Sequence, residues 1–270
     1  MPIFRLIVLL VILDGPPDQA LYLGDLFFSR ANYDAAITEY KRFRFFAVDS
    51  SKLSYAYYRI GLAYRNQRRW QRAVDAHRAS VESAPNDSIQ DERKVDLAVT
   101  HIGYGNYSCA EVLLLRLENF SRFPNIRRRA SFLRAVNYIY QFRWKDGRAA
   151  LGEDGTGDCR VIDSLLAVGE EFRYKSPRTA LILSTIIPGA GQIYTGEFSK
   201  GINILLLNGA IGYLMIYRLI RHDYLNAIII YYLLFRRYYL GAKWRAAMAA
   251  REYNLRKNRK LAEEVLKQFR

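Results

Sequence analysis

The longest apolar run in this 270-residue sequence places the strongest constraint on its fold. Residues 201–220 read GINILLLNGAIGYLMIYRLI, and their only charge, Arg218, lies near one end. As an α-helix this run is about 30 Å long, which matches the hydrocarbon thickness of a bilayer. The run therefore predicts a transmembrane helix. The alternative is that the apolar runs form the core of a soluble domain, and it accounts less well for the length and low charge of this one.

A second apolar run follows at once, at residues 224–235 (YLNAIIIYYLLF). It is too short to cross a bilayer alone, but residues 238–240 extend it if Arg236 and Arg237 reach the headgroups or face a partner. Because only residues 221–223 separate the two runs, we expect a membrane hairpin. An earlier apolar segment, 180–194, is interrupted at Pro188, which predicts a re-entrant or interfacial break rather than a third clean span.

The interrupted segment carries a motif of small and polar residues. Its members are Pro188, Gly189, Gly191, Gln192, Tyr194, Gly196 and Gly201, with Asn208 in the run that follows. The glycines predict close helix packing, with Gln192 and Asn208 as interhelical hydrogen-bond partners.

This motif resembles the P-G-x-G-Q-x-Y-x-G signature of small bacterial membrane domains akin to the two-transmembrane-helix family. The similarity continues through Tyr-x-x-Gly-Ala at residues 238–242 to Tyr253 and Asn254, in a subgroup whose membrane domain follows tetratricopeptide-like repeats. The chain departs from the pattern in its additional charges at residues 236, 237, 243 and 245. The resemblance implies a membrane-anchored protein and supplies no catalytic residue.

The first half of the chain repeats itself with a period of 37 residues. The repeated positions are the aromatic residues Tyr33, Trp70, Tyr107 and Trp144, each followed three residues later by a small residue, Ala36, Ala73, Ala110 or Gly147. A fixed period of this length is typical of a helical solenoid. With Leu23-Gly24 and Ile60-Gly61 at equivalent places, the pattern resembles tetratricopeptide repeats, which implies paired helices and buried aromatic side chains, with His77 in a packed aromatic position.

Together these patterns predict an all-α protein, a tetratricopeptide-like helical solenoid followed by a transmembrane helical hairpin. We expect three to four repeats over residues 16–157, a linker helix at 158–176, a membrane domain at 177–250 and a basic tail at 251–270. Residues 1–15 resemble an export signal or an uncleaved anchor. The Gly-rich segment 152–158 predicts the loop between the domains.

The tetratricopeptide resemblance also implies a concave groove lined by first-helix residues. These would be Tyr22, Asp25, Tyr58, Arg59, Arg65 and Asn66. Such grooves take peptides or helices from partner proteins, with Arg and Asn binding backbone or carboxylate groups. The alternative is an ordinary solvated face without a ligand.

The charge balance favours a membrane surface as a further partner. The chain carries a formal charge of +15, and from Arg236 to the end 11 Lys or Arg stand against three Glu. A basic segment beside an apolar hairpin predicts binding to anionic lipid. We expect no nucleic acid, because no nucleic-acid fold signature accompanies the charge. Cys109 and Cys159 predict two free thiols, and no spacing indicates a metal site, a cofactor or catalysis.

These observations favour a non-enzymatic bacterial membrane protein whose repeats act as a protein-interaction scaffold, with a homo-oligomer in the membrane also compatible. The alternative is an accessory factor for membrane-protein insertion or envelope assembly. We expect the inner membrane. Two topologies fit. An export signal would place the repeats in the periplasm, which we favour, and three crossings, the first broken at Pro188, would then bring the basic tail inside. Two spans with basic flanks would instead keep the repeats inside the cell.

Overall fold

The computed structural model describes residues 17–46, 49–152 and 159–268. Within these ranges all regular structure is helical and no strand occurs, so the prediction of an all-α protein is confirmed. The chain divides into two compact units, which we call the N-terminal unit (Met1–Thr156) and the C-terminal unit (Gly157–Arg270). The predicted export signal or anchor at residues 1–15 lies outside the described residues.

The N-terminal unit is a row of helices, each packed on the next along the chain. In its described part these are α1 (Pro17–Ser29), α2 (Tyr33–Phe46), α3 (Ser50–Asn66), α4 (Trp70–Glu82), α5 (Asp87–Tyr104), α6 (Tyr107–Phe120), α7 (Pro124–Tyr140) and α8 (Trp144–Leu151). Helix α5 also contacts α7. Neighbouring helices therefore supply most of the packing.

The turns before α2, α4, α6 and α8 share one backbone geometry. Two residues before each helix, a residue adopts a left-handed conformation, at Ala31, Arg68, Gly105 and Phe142. The next amide then bonds back to the carbonyl five residues earlier, as in Asn32 N to Phe27 O at 2.9 Å. With the amide of the left-handed residue bonded three residues back, this is a Schellman motif, which satisfies the last carbonyls of the preceding helix.

The other turns, which precede α3, α5 and α7, depend on side-chain caps and short connections. Asp49 accepts hydrogen bonds from the amides of Ser51 and Lys52 before α3, and Asn86 accepts one from Ile89 before α5. Before α7, Pro124 takes the first helical position, where a missing amide hydrogen costs nothing. The connections 83–86 and 121–123 are short, so the 37-residue spacing lies mostly in the helices themselves.

Small residues set how closely paired helices approach in the N-terminal unit. A Cβ atom added at Gly24 would meet the Tyr40 ring at 2.5 Å, and one at Gly61 would meet the His77 ring at 2.6 Å. Tyr40 and His77 are both fully buried. His77 therefore occupies a packed aromatic position, as expected from the sequence. Of the four repeated aromatic residues, Trp144 is buried, and the other three are half-buried.

The described part of the C-terminal unit begins with a helix inside the segment 158–176, where a linker helix was expected. Its described elements are α9 (Cys159–Glu170), α10 (Pro177–Ile186), α11 (Ala190–Tyr194), α12 (Phe198–Ile220), α13 (Tyr224–Ile230), a π-helical turn (Tyr231–Phe235) and α14 (Arg236–Lys267). Cys159 is the first residue of helix α9, and residues 172–176 have no regular structure; the Ser176 side chain caps α10 by accepting from Thr179 N.

The apolar segment around Pro188 is two helices with a sharp break. Ile187 is extended, as expected for a residue that precedes proline, and it ends α10. Gly189 then takes a left-handed conformation with φ of +96° and opens the five-residue helix α11. The interruption expected from the sequence is therefore present, and its geometry requires glycine at residue 189.

One described helix, α12, is long and apolar enough to cross a membrane, and few of its residues are buried. It contacts α13 and the π-helical turn, which hold the second apolar run. At the turn between α12 and α13, Arg218 pairs with Asp223 at 3.1 Å. The second run does not end at Phe235 but continues directly into α14, whose inner face packs against α10 and α11.

Candidate functional site

Two of the predicted groove residues, Asp25 and Arg59, are engaged with each other. Asp25 accepts hydrogen bonds from the Tyr40 hydroxyl at 2.6 Å, from the Tyr55 hydroxyl at 3.0 Å and from Arg59 Nε at 2.8 Å. Burial, together with the bond to Asp25, raises the pKa of Tyr40 far above its usual range. The guanidinium of Arg59 also stacks over the Phe28 ring at 4.0 Å. This cluster joins α1, α2 and α3, so its geometry is that of an internal clamp.

A second group of predicted residues lies on α3 beside α5. The guanidinium of Arg93 covers the Tyr58 ring at 4.1 Å, and the rings of His77 and Tyr55 lie 5.9 and 6.4 Å from that ring. Arg65 Nη1 and Arg93 Nε are buried, and neither has a hydrogen-bond partner in the described part of the chain. Burial, together with the positive charges of Arg65 and Arg93, lowers the pKa of His77 to about 3.

Asp96 is the carboxylate that balances these cations. Burial raises its pKa, and the charges of Arg129, Arg65 and Arg93 oppose that shift. The first helices of three successive pairs, α3, α5 and α7, thus contribute three arginines around one aspartate. Such a surface has unused guanidinium donors beside the aromatic ring of Tyr58. These donors suit carboxylate or backbone carbonyl groups of a peptide. We call residues 58, 65, 93, 96 and 129 the arginine surface.

The remaining predicted groove residues are exposed and separate. Tyr22 on α1 exposes 68% of its side chain, and Asn66 is exposed at the end of α3. Sequence reasoning missed Arg93, Asp96 and Arg129 because repeats three and four keep less of the tetratricopeptide pattern. The available signal was the i, i+3 spacing of Arg93 and Asp96, which places both on one face of α5.

The small and polar residues from Pro188 to Asn208, which we call the membrane motif, bring four chain segments together through their glycines. A Cβ atom added at Gly189 would collide with the carbonyl oxygen of Gly201, so the start of α11 touches the backbone of α12. One added at Gly191 would collide with the carbonyl oxygen of Ala180 and lie 2.6 Å from the Ala246 side chain, between α10 and α14. These glycines act through close packing. Gly196 instead has open space around it and a φ of +87°.

Gln192 connects the short helix α11 to both of its neighbours. Its side chain is almost fully buried, its Nε2 donates to the carbonyl of Ala242 on α14 at 2.9 Å, and its Oε1 accepts from Ser184 on α10 at 3.2 Å. Ser184 Oγ in turn accepts from the amide of Gly191 at 3.0 Å. Gln192 therefore makes the interhelical hydrogen bonds expected of it.

Asn208 behaves differently from that expectation. Its Nδ2 donates to the carbonyl of Ile204 within α12, and its buried Oδ1 has no hydrogen-bond partner among the described residues. A side chain placed one turn after a carbonyl reaches its own helix first, which explains why no interhelical bond forms. Asn208 also lines a cavity of about 480 Å³ beside the break, together with Pro188, Phe235 and Tyr239.

The other motif residues join the two ends of the C-terminal unit. The Tyr194 hydroxyl accepts from the amide of Ser176 at 3.3 Å, and the ammonium of Lys175 lies 4.5 Å from the Tyr194 ring centre. Asn254 on α14 holds the backbone of Lys175 at both groups, accepting from its amide at 2.8 Å and donating to its carbonyl at 2.9 Å. The start of α10 is thereby fixed to α14.

Within the described residues, no group of three or more His, Cys, Asp or Glu side chains is placed to hold a metal ion. Cys109 is a free, exposed thiol on α6. No protein-family model matches the chain. No curated protein matches it either.

Proposed function

We propose that this chain is a non-enzymatic bacterial membrane protein, in which a tetratricopeptide-like solenoid binds a partner protein and a C-terminal hairpin anchors the chain. The observation that carries the proposal is the fourfold recurrence of one Schellman turn at Ala31, Arg68, Gly105 and Phe142, each 37 residues after the last. Equal turns at equal spacing generate equal helix pairs, which is how a solenoid is built. The resemblance in the sequence points the same way.

The arginine surface is the proposed binding site for the partner. It lies on first helices, which line the concave face in a tetratricopeptide-like solenoid, and it carries two buried guanidinium nitrogens that have no hydrogen-bond partner among the described residues. A peptide with acidic side chains would supply acceptors to the guanidinium groups, and the half-buried Tyr58–Arg93 stack would contact its apolar groups. Asp25 and Arg59, which occupy each other, have a structural role in this proposal.

The membrane anchor is proposed from the outer face of α12. Large apolar side chains are exposed along it, including Phe198, Ile202, Leu206 and Ile220, although the C-terminal unit packs well on its other side. An uncovered apolar surface of this extent is typical of a face that meets lipid or a partner helix. We propose that α12 and residues 224–235 cross the inner membrane as a hairpin and that the N-terminal unit is in the periplasm.

Site-specific photo-crosslinking in cells tests the partner site. A photoreactive residue at Asn66 or Arg129 should give a discrete protein adduct, and the same residue at Thr38 or Val112, exposed on second helices, should give none. The adduct at Asn66 should weaken when Arg65 and Arg93 are both changed to Gln. Adducts of equal yield at all four positions would overturn the proposed site. So would an adduct at Asn66 whose yield is unchanged in the double variant.

Protease accessibility of a tag at Gly155 tests the location. Cleavage after the outer layer is opened agrees with a periplasmic N-terminal unit, whereas protection until lysis assigns that unit to the cytoplasm.

The cavity beside the broken helix favours a second candidate function, an accessory role in membrane-protein insertion or envelope assembly. It holds about 480 Å³ and is bounded by Ile186, Leu205 and Phe235, next to the unpartnered Asn208 Oδ1. An apolar segment of a client could enter there. If Gly209→Leu, at a residue that lines this cavity and has open space around it, abolishes client insertion in cells while membrane localisation is unchanged, the second function is supported over simple anchoring.

A further inference from the structure

A second cavity in the C-terminal unit lies where α12 begins. It holds about 510 Å³ and is lined by Thr195, Gly196 and Glu197 on one side and by Tyr253, Arg256, Lys257 and Lys260 on the other. The first three residues form the turn between α11 and α12. The other four belong to α14, where spacings of three and four residues place them on one face. The cavity is therefore a cleft between a turn and a basic helix face.

The charge of this cleft is unbalanced. Glu197 is the one carboxylate among its described lining residues, and it is shared by Lys200 at 3.1 Å and Arg256 at 3.9 Å. Lys257 is positioned over the Phe172 ring at 4.2 Å, and Lys260 is exposed. Helix α12 starts at this cleft without a side-chain cap, so the partial positive charge of its N-terminus adds to the cations. The cleft thus suits an anion.

The position of the cleft indicates which anion. Glu197 directly precedes Phe198, the first residue of the helix that is long and apolar enough to span a membrane. Below the cleft, Phe198, Ile202 and Leu205 are exposed at spacings of four and three residues, so they form one apolar strip along α12. A phosphate in the cleft would lie at the end of α12 where that strip begins, so its acyl chains would extend along the helix. A soluble anion would make no use of it.

We propose that this cleft binds the phosphate of an anionic phospholipid, with Arg256 and Lys260 as its main cationic groups and the lipid chains lying on the strip of α12. This inference rests on the proposed membrane anchor. It goes beyond a diffuse attraction between a basic tail and a charged surface, because it assigns the interaction to one helix face of α14 and to one end of α12.

The test uses the full-length chain in neutral detergent, titrated with short-chain phosphatidylglycerol or phosphatidylcholine and followed by native mass spectrometry. Two substitutions, Arg256→Gln with Lys260→Gln, remove the proposed contacts. The matched control, Arg251→Gln with Arg259→Gln, removes the same charge from exposed positions of α14 outside the cleft. The cleft variant should lose about tenfold in affinity for phosphatidylglycerol, and the control should lose less than about twofold.

Each outcome decides the inference. If both variants lose affinity equally, the attraction is diffuse and the site is wrong. Unchanged affinity in the cleft variant also overturns it, as does full competition by millimolar inorganic phosphate, which would make the ligand a soluble anion. Alkaline carbonate extraction of membranes separates the two proposals. An extractable chain refutes the membrane anchor itself, whereas a resistant chain without preference for phosphatidylglycerol refutes this inference alone.

Discussion

Replacing Asp25 with alanine should destabilise the N-terminal unit, because this carboxylate joins three helices. It accepts from Tyr40, Tyr55 and Arg59 at 2.6, 3.0 and 2.8 Å, and its loss leaves the half-buried guanidinium and the buried Tyr40 hydroxyl without that acceptor. Hydrogen bonds to a charged group contribute about 1.5–3 kcal/mol each. The Asp25 side chain is 37% exposed, so water replaces part of the lost hydrogen bonding, and we expect the free energy of unfolding to decrease by about 2–3 kcal/mol.

Urea unfolding of the full-length chain in detergent measures this loss. The chain has three tryptophans, and changing Trp244 to Phe leaves Trp70 and Trp144, so that fluorescence follows the N-terminal unit alone. Asp34→Ala is the control, because its ion pair with Arg69 spans 3.3 Å between exposed side chains and should be worth at most about 0.5 kcal/mol. If Asp25→Ala costs no more than the control, the clamp is not structural and the reasoning fails.

Three further predictions use the same chain. Burial lowers the pKa of His77 to about 3 in the folded protein, so between about pH 6 and pH 4 the unfolded protein binds a proton at His77 and the folded protein does not. The free energy of unfolding should therefore decrease as the pH is lowered through this range, by up to about 1.4 kcal/mol per pH unit. His77→Phe should remove that part of the pH dependence, which urea titrations at several pH values measure. Arg68→Gly should raise the unfolding free energy by about 0.5–1 kcal/mol, since Arg68 has a left-handed φ of 58°; a decrease would contradict the strain. Gly191→Leu should disrupt packing between α10 and α14, which size-exclusion chromatography in detergent would show as loss of the monodisperse peak, whereas Gly209→Leu, where the structure has open space, should leave it intact.

Several helix starts in the structure lie at positions where local signals in the sequence favour them. Tyr33, Trp70, Tyr107 and Trp144 each begin a helix, and Asp49, Asn86 and Pro124 mark three other starts. Capping and proline effects act within a few residues, so one sequence contains them in full. The left-handed turns were less visible, because only Gly105 of the four carries the residue type that favours that conformation.

The candidate groove shows where such reasoning stops. Asp25 and Arg59 were expected to bind a ligand. They bind each other instead, because the fold brings together two residues that are 34 apart in sequence. Pairing of this kind depends on helix angles that no local pattern specifies. Arg93 and Arg129 were missed for the same reason, since they reach the arginine surface from helices whose sequence similarity to the first pair is weak.

The membrane motif was easier to interpret because its residues act at short range. Gly189, Gly191 and Gln192 lie on or beside the five-residue helix α11, where a Cβ atom at either glycine would collide with a neighbour and Gln192 bonds to α10 and α14. For Asn208, the donor Nδ2 bonds to its own helix, an outcome that the sequence alone does not distinguish from a bond across helices.

Cysteine labelling in sealed vesicles tests the proposed membrane hairpin most directly. In a chain with Cys109 and Cys159 changed to serine, single cysteines replace Ser199, His222 or Arg259, which are all exposed. A membrane-impermeant maleimide should reach His222→Cys from one side of the membrane and both Ser199→Cys and Arg259→Cys from the opposite side. Labelling of all three positions from the same side would contradict the hairpin.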